Sequence, residues 1–233
     1  MNSTINILHI ETATKVCSCS LSVDDEVVFN KESHLEQSHA KLLGVFTEEA
    51  IQYARRNNYQ VHAISVSSGP GSYTGLRIGV SEAKGLAFGL DAKLIAIPTL
   101  KLLASIASKQ VDNKDILLCP MIDARRMEVY TSIFDSSLNI IEPTKAKIIH
   151  EESFLDLLSE HKIAFFGDGS FKCKGLITHP NAIFLSDIHP LACGMASLSF
   201  DAYNANRFED VAYFEPFYLK EFQATIAKNK VLK

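Results

Sequence analysis

The sequence predicts an α/β protein of two tandem lobes, each running β-β-β-α-β-α-β along the chain, the second lobe reduced. Three observations carry this. Apolar residues alternate with period two in paired runs at the start of the chain and again from residue 116. A strand pattern runs into the Gly/Ser/Thr loop SGPGSYTG, and a helix pattern leaves it. After each strand meander, helix and strand signals recur in the same order.

The elements follow in turn. Residues 5–11 form a strand, the small residues TAT turn the chain, and 16–23 (VCSCSLSV) alternate as a second strand. Asp24–Asp25 makes a turn and 26–31 return. A helix is predicted over 35–57, with Ser33 as N-cap, Glu36 in the capping-box position and Asn57–Asn58 closing it. Residues 61–67 form the next strand. Pro70–Gly71 supplies a tight turn, Ser72 or Thr74 caps a helix running to Gly89, and 93–97 form a buried strand ending at Pro98. In the second half 116–122, 128–134 and 140–148 make another meander, 151–160 a helix, and 163–167 a strand ending in GDGS. A short helix, a strand near Ile183 and a helix over 190–205 complete that lobe. This duplicated order is the layout of the actin-like/Hsp70-like (ASKHA) superfold. The lobes cover 1–100 and 101–223 and meet near 98–112, and 224–233 form a polar, flexible tail.

Composition narrows the function classes. The 233 residues are 47% hydrophobic and 21% charged, ordinary for a globular protein large enough to bury a core. A net charge of −4 with scattered Lys and Arg lacks the basic footprint of a nucleic-acid binder, so any RNA would be held by another subunit. The first residues carry no positive run, their apolar stretch is broken by His9 and Glu11, and no stretch reaches the ~20 apolar residues of a bilayer span. A cytoplasmic location with no membrane contact is expected. The 5 cysteines lack CxxC spacing and read as buried free thiols, Cys17 and Cys19 sharing one strand face.

The glycine loop fails both standard phosphate fingerprints. Walker A needs a lysine that is absent after Thr74, and GxGxxG breaks at Thr74 and again at Lys172. The loop reads first as a turn that lets strand and helix pack closely. Thr12 and Thr14 of TAT, with Gly167 and Gly169 of GDGS, sit where the superfold's nucleotide loops would lie and are the candidates for nucleotide binding. Arg77 opposes the helix macrodipole in the first turn, so it is either solvated or held by a carboxylate of this chain or a partner. Asp168 is either a cleft acid or a turn residue, and Asp123 pairs locally with Arg125. Two helix faces suggest a docking surface. The first helix spreads apolar residues, Leu42, Leu43 and Phe46 among them, over a wide arc, and the second places Gly75, Gly79 and Ala83 four apart as a small-residue ridge.

Five segments together resemble the TsaB (YeaZ) family. SSGPGSYTGLRIGVSEAKGLAFG matches its GPGS-F-TGLRIG signature, with Tyr73 for the usual Phe. ILHIETAT resembles the opening strand and turn, with Glu11 where Asp is usual. SHAKLL (38–43), MIDARRMEVYTSIFD (121–135) and PFYLK (216–220) follow in family order. The resemblance implies a non-catalytic subunit that pairs with the catalytic paralogue TsaD, recruits the ATPase TsaE and supports transfer of threonylcarbamoyl to adenosine 37 of tRNA. The tRNA would be engaged through the complex. TsaD binds its metal through two His four apart on a helix. Alignment places Thr99 and Leu103 there, so no metal and no catalytic residue is expected in this chain. None of the 8 His offers a replacement, His34 and His39 being five apart on different helix faces. No cofactor is expected on the isolated chain, with ATP or ADP entering in the complex. The partner-interface candidates are Leu42, Leu43, Phe46, Gly75, Arg77, Gly79 and Ala83, and the isolated chain could also pair with itself there. The alternative is a nucleotide-binding enzyme of the same superfold, kinase-like or a glycoprotease-like metallopeptidase.

Overall fold

The computed structural model describes residues 4–35, 39–111, 113 and 115–220. Glu36 of the expected capping box, Ser38 and the tail 224–233 lie outside them.

Two five-stranded sheets repeat one topology. The first joins β1 (Asn6–Glu11), β2 (Cys17–Val23), β3 (Glu26–Ser33), β4 (Ala63–Gly69) and β5 (Lys93–Pro98) in the order β3-β2-β1-β4-β5. The second joins β6 (Leu117–Asp123), β7 (Glu128–Phe134), β8 (Ile140–Ile148), β9 (Ile163–Phe166) and β10 (Ala182–Phe184) in the order β8-β7-β6-β9-β10. In both, the three meander strands pair antiparallel and the last two add in parallel. Parallel addition requires a helical crossover, which is why each later strand follows a helix or a compact turn. This is the duplicated α/β, actin-like layout that the sequence pattern predicted.

The helices explain the burial pattern. Helix α1 (His39–Arg56) buries Leu43, Thr47, Ala50 and Ala54 on one stripe, and Asn58, at φ 56, supplies the left-handed residue beyond its end. Helix α2 (Tyr73–Gly89) is capped by Ser72, whose side chain accepts from the Gly75 amide at 3.3 Å. Both pack on one face of the first sheet around Leu8, Ile10, Ile64, Val66 and Leu94. Full burial of one such side chain contributes about 1.5–3 kcal/mol. Helix α3 (Thr99–Ser108), at the predicted meeting point, is buried along most of its length and packs against β4, β5 and β6, joining the sheets. The second lobe is the reduced one: α4 (Leu155–Glu160) has six residues, and a 3-10 turn at Phe171–Cys173 stands in for its second helix. Phe154, at φ 67, ends the turn ahead of α4, so residues 151–154 do not join that helix.

The helix predicted over 190–205 does not complete the second lobe. It divides into a 3-10 segment (Ala192–Met195) and α5 (Ala196–Asn204), and both dock on the first sheet. Met195 and Ala202 are buried there with Ile7, Ile95, Ile97 and Leu102, and the Ala192 amide donates to Ser18 Oγ at 2.9 Å. Apolar burial is indifferent to sequence distance, and the open face of the first sheet is where those side chains lose the most water. His9, in the core of this sheet, is satisfied internally. It bonds Ser65 Oγ (2.7 Å) and Ser22 Oγ (2.9 Å), and burial pushes its pKa down to about 3, which keeps the ring neutral. All five cysteines are free, and four are buried.

Candidate functional site: an inter-lobe cleft and an outer helix face

The loops at the strand ends of the two lobes enclose a cleft of about 1100 Å³, lined by Thr14, Tyr73, Arg125, Asp168, Tyr218 and Lys220 among others. On the first-lobe wall, Glu11 closes β1. Its Oε1 accepts from the Ala13 amide at 2.5 Å, its Oε2 from the Ser67 hydroxyl, and burial pushes its pKa up to about 7. The TAT turn is then fastened to the start of α2. The Ser72 amide donates to Ala13 O at 2.7 Å, and Thr12 Oγ1 donates to Gly75 O at 2.8 Å.

On the opposite wall, Asp123 Oδ1 accepts from the Arg125 amide at 2.8 Å, an Asx turn that carries Arg125 and Arg126 through left-handed φ values of 67° and 46°. The carboxylate of Asp123 pairs with Lys172, correcting the expected Asp123–Arg125 ion pair. Asp168 is both a turn residue and a cleft residue. Its Oδ1 accepts from the Asp123 amide at 3.0 Å, and burial raises its pKa. Glu128 pairs with Lys220, and Tyr73 packs on Tyr218 with ring centroids 5.0 Å apart.

The candidate nucleotide loops are committed to the fold. The Thr12 hydroxyl is buried on Gly75 O. The Gly169 amide donates to Met121 O at 3.0 Å, and Gly167 (φ 92) brings its Cα against that same carbonyl. Only Thr14 of the four lines the cleft, and its carbonyl accepts from His39 Nε2 at 3.0 Å. The Thr12 hydroxyl and the Gly169 amide thus bond this chain's own backbone, and Gly167 packs its Cα on the Met121 carbonyl. Thr99 and Leu103 are core side chains of α3. Among the described residues no three His, Cys, Asp or Glu cluster as metal ligands.

The small-residue ridge of α2 also turns inward. A Cβ on Gly75 would strike the Thr12 carbonyl and one on Gly79 the Thr12 hydroxyl, while Ala83 and Leu43 are buried in the core of the lobe. The close approach at Gly75 and Gly79 is made by the TAT turn of the same chain and Ala83 and Leu43 face the core, which corrects the reading of these four as residues facing a partner. The outer face of the helix pair consists of other groups. Phe46 and Ile78 are half-buried, Leu42 is half-buried beside them, Val45 is 48% and Phe88 85% exposed, and Gly44 and Gly85 have open space above them. Arg77 is exposed, with its guanidinium 4.5 Å from the centre of the Tyr73 ring. Val45 and Phe88 are additions to the sequence-based candidates. The break in polarity they make on otherwise polar helix stripes was the available signal.

Both the sequence and the fold are similar to those of known proteins. A family model for TsaD, tRNA N6-adenosine threonylcarbamoyltransferase, matches residues 32–157, more than half of the chain. The tRNA threonylcarbamoyladenosine biosynthesis protein TsaB of Escherichia coli is 29% identical over 233 aligned residues, 93% of this chain and 95% of that protein. That of Bacillus subtilis is 31% identical over 138 residues, 59% of this chain and 58% of that protein. A tRNA N6-adenosine threonylcarbamoyltransferase of Clostridium perfringens is 32% identical over 80 residues, covering 34% of this chain and 23% of that protein. In solved structures, YeaZ from Pseudomonas aeruginosa shares the fold with a TM-score of 0.77 at 23% identity, covering 93% of this chain and all of that one. No helix among the described residues is long and apolar enough to cross a membrane.

Proposed function

The chain belongs to the TsaD family, in its TsaB (YeaZ) branch, and from that premise we propose that it is the partner subunit of TsaD in tRNA threonylcarbamoyladenosine biosynthesis. It works as a scaffold that pairs with TsaD and recruits TsaE, and it carries out no bond-making step itself. The observation that carries this reading is the outer face of α1 and α2, where Val45 and Phe88 leave apolar surface in water on helices whose inner stripes already fill the core. The positions equivalent to the TsaD metal ligands support it, since Thr99 and Leu103 are packed inside α3 and supply no metal ligand. In this reading nucleotide enters with the complex, which the commitment of the Thr12 hydroxyl and the Gly169 amide to this chain's own backbone supports.

Phe88→Asp tests the reading. It places a charge on an exposed side chain without touching the core, so the melting transition should stay within the range of a surface change. Affinity for TsaD should fall on the order of a hundredfold, the effect of losing an apolar anchor and desolvating a carboxylate. Modification of tRNA in a reconstitution containing tRNA, ATP, threonine, bicarbonate and the Tsa proteins should fall with it. Unchanged affinity for TsaD would move the interface off this face. Full tRNA modification without this chain would reject the scaffold role.

A further inference from the structure

The PFYLK motif has a position that the partner reading does not use. After α5 the chain returns along the first lobe, where the Glu209 amide donates to Leu94 O at 2.8 Å at the edge of β5. Lys84 on α2 then holds the Ala212 and Phe214 carbonyls through Nζ at 3.1 and 3.0 Å. The Phe217 amide donates to Ser68 O at 2.7 Å, and a Cβ on Gly69 would lie 2.5 Å from Phe217 O, so only glycine lets the segment lie this close to the end of β4. Tyr218 packs on Tyr73, and Lys220 crosses to the second lobe to pair with Glu128 of β7. Residues 217–220 line the cleft.

We propose that residues 209–220 are a latch that fixes the angle between the lobes. Their anchors run in order from β5 through α2 and the end of β4 to β7. Among the described residues two other crossings join the lobes, α3 and the segment leading from β10 into the 3-10 turn at Ala192–Met195, and these are anchored in packed core by Leu100, Leu103 and Ile188. The strap is the crossing that spans the open cleft. Two lobes joined around a cleft move relative to each other by default, and a contact placed across the opening restrains that motion with the longest lever. Two groups that line the cleft are engaged by the strap, Glu128 by Lys220 and Tyr73 by Tyr218, beside the Ser68 carbonyl held by the Phe217 amide.

Native-state hydrogen exchange of the Phe217 amide reads the opening equilibrium of the latch directly, with the amides of Ile64 and Val66 in β4 as the reference for global unfolding. Glu128→Lys should speed Phe217 exchange by about two- to fivefold, the range for a half-exposed ion pair. The swap Glu128→Lys with Lys220→Glu should return it close to the starting rate. Lys84→Met, which frees the strap from α2 without altering the cleft, should also speed it while Ile64 and Val66 hold their rates. Ending the chain at residue 208 removes the strap from every molecule and should raise the radius of gyration measured by small-angle scattering while Ile64 and Val66 stay protected. The proposal is overturned by an unchanged Phe217 rate in Glu128→Lys, by a swap that restores nothing, by equal acceleration of Ile64 and Val66, or by an unchanged radius in the chain ended at residue 208.

Discussion

Replacing Gly79 by alanine separates internal packing from partner packing on α2. A Cβ at this position would occupy the place of Thr12 Oγ1, the hydroxyl that donates to Gly75 O at 2.8 Å. Thr12 is buried, so it must rotate and leave both its hydroxyl and the carbonyl without a partner, at a cost of about 1–3 kcal/mol. Crowding of a packed contact adds about 1–3 kcal/mol, and the better helix propensity of alanine returns about 1 kcal/mol. The net loss is about 1–5 kcal/mol, or roughly 2–4 °C of melting temperature per kcal/mol for a chain of this size. Gly85→Ala on the same helix meets open space and should instead stabilise by about 0.4–1 kcal/mol. In a Thr12→Ala background the hydroxyl is gone, and the Gly79→Ala penalty should shrink by at least half. Denaturant and thermal melts of these variants measure this. If Gly79→Ala melts at or above the parent, or its penalty persists in full without the Thr12 hydroxyl, the inward assignment of the ridge is wrong.

Two more predictions concern titration and metal. Glu11 has a pKa raised to about 7, so the folded state keeps its proton longer than the unfolded chain and stability falls as pH rises from about 4.5 to 7. His9, lowered to about 3, acts oppositely: the unfolded chain takes up the proton first, and stability rises with pH from about 3 to 6.5. The two oppose each other where they overlap, so Glu11→Gln should steepen the rise of the denaturation midpoint between about pH 4.5 and 6.5, and an unchanged pH profile would refute the assignment. Elemental analysis of the purified chain should find no stoichiometric zinc or iron, and about one tightly held ion per chain would show the α3 positions misread.

Lobe duplication and most of the element order were legible in the sequence because they depend on local signals, whereas α3 (Thr99–Ser108) was read only as the junction between the lobes. Period-two runs, the Asn58 stop after α1, the Ser72 cap and the GPG turn each act within a few residues, and together they specify the strand–helix succession of both sheets. The GPGSYTGLRIG loop was equally readable as a family mark. Tertiary structure alone decided which way the regularly spaced features face. Gly75, Gly79 and Ala83 make the same ridge on paper whether a partner helix or this lobe's own TAT turn and core lie over it, since helical spacing defines a face but not what covers it. Likewise the pattern over 190–205 announces a helix without saying that it docks on the first sheet, and PFYLK gives no sign that Lys220 reaches Glu128. These contacts join residues far apart along the chain, where burial and charge pairing depend on distance in space and hydrophobic periodicity carries no information about it.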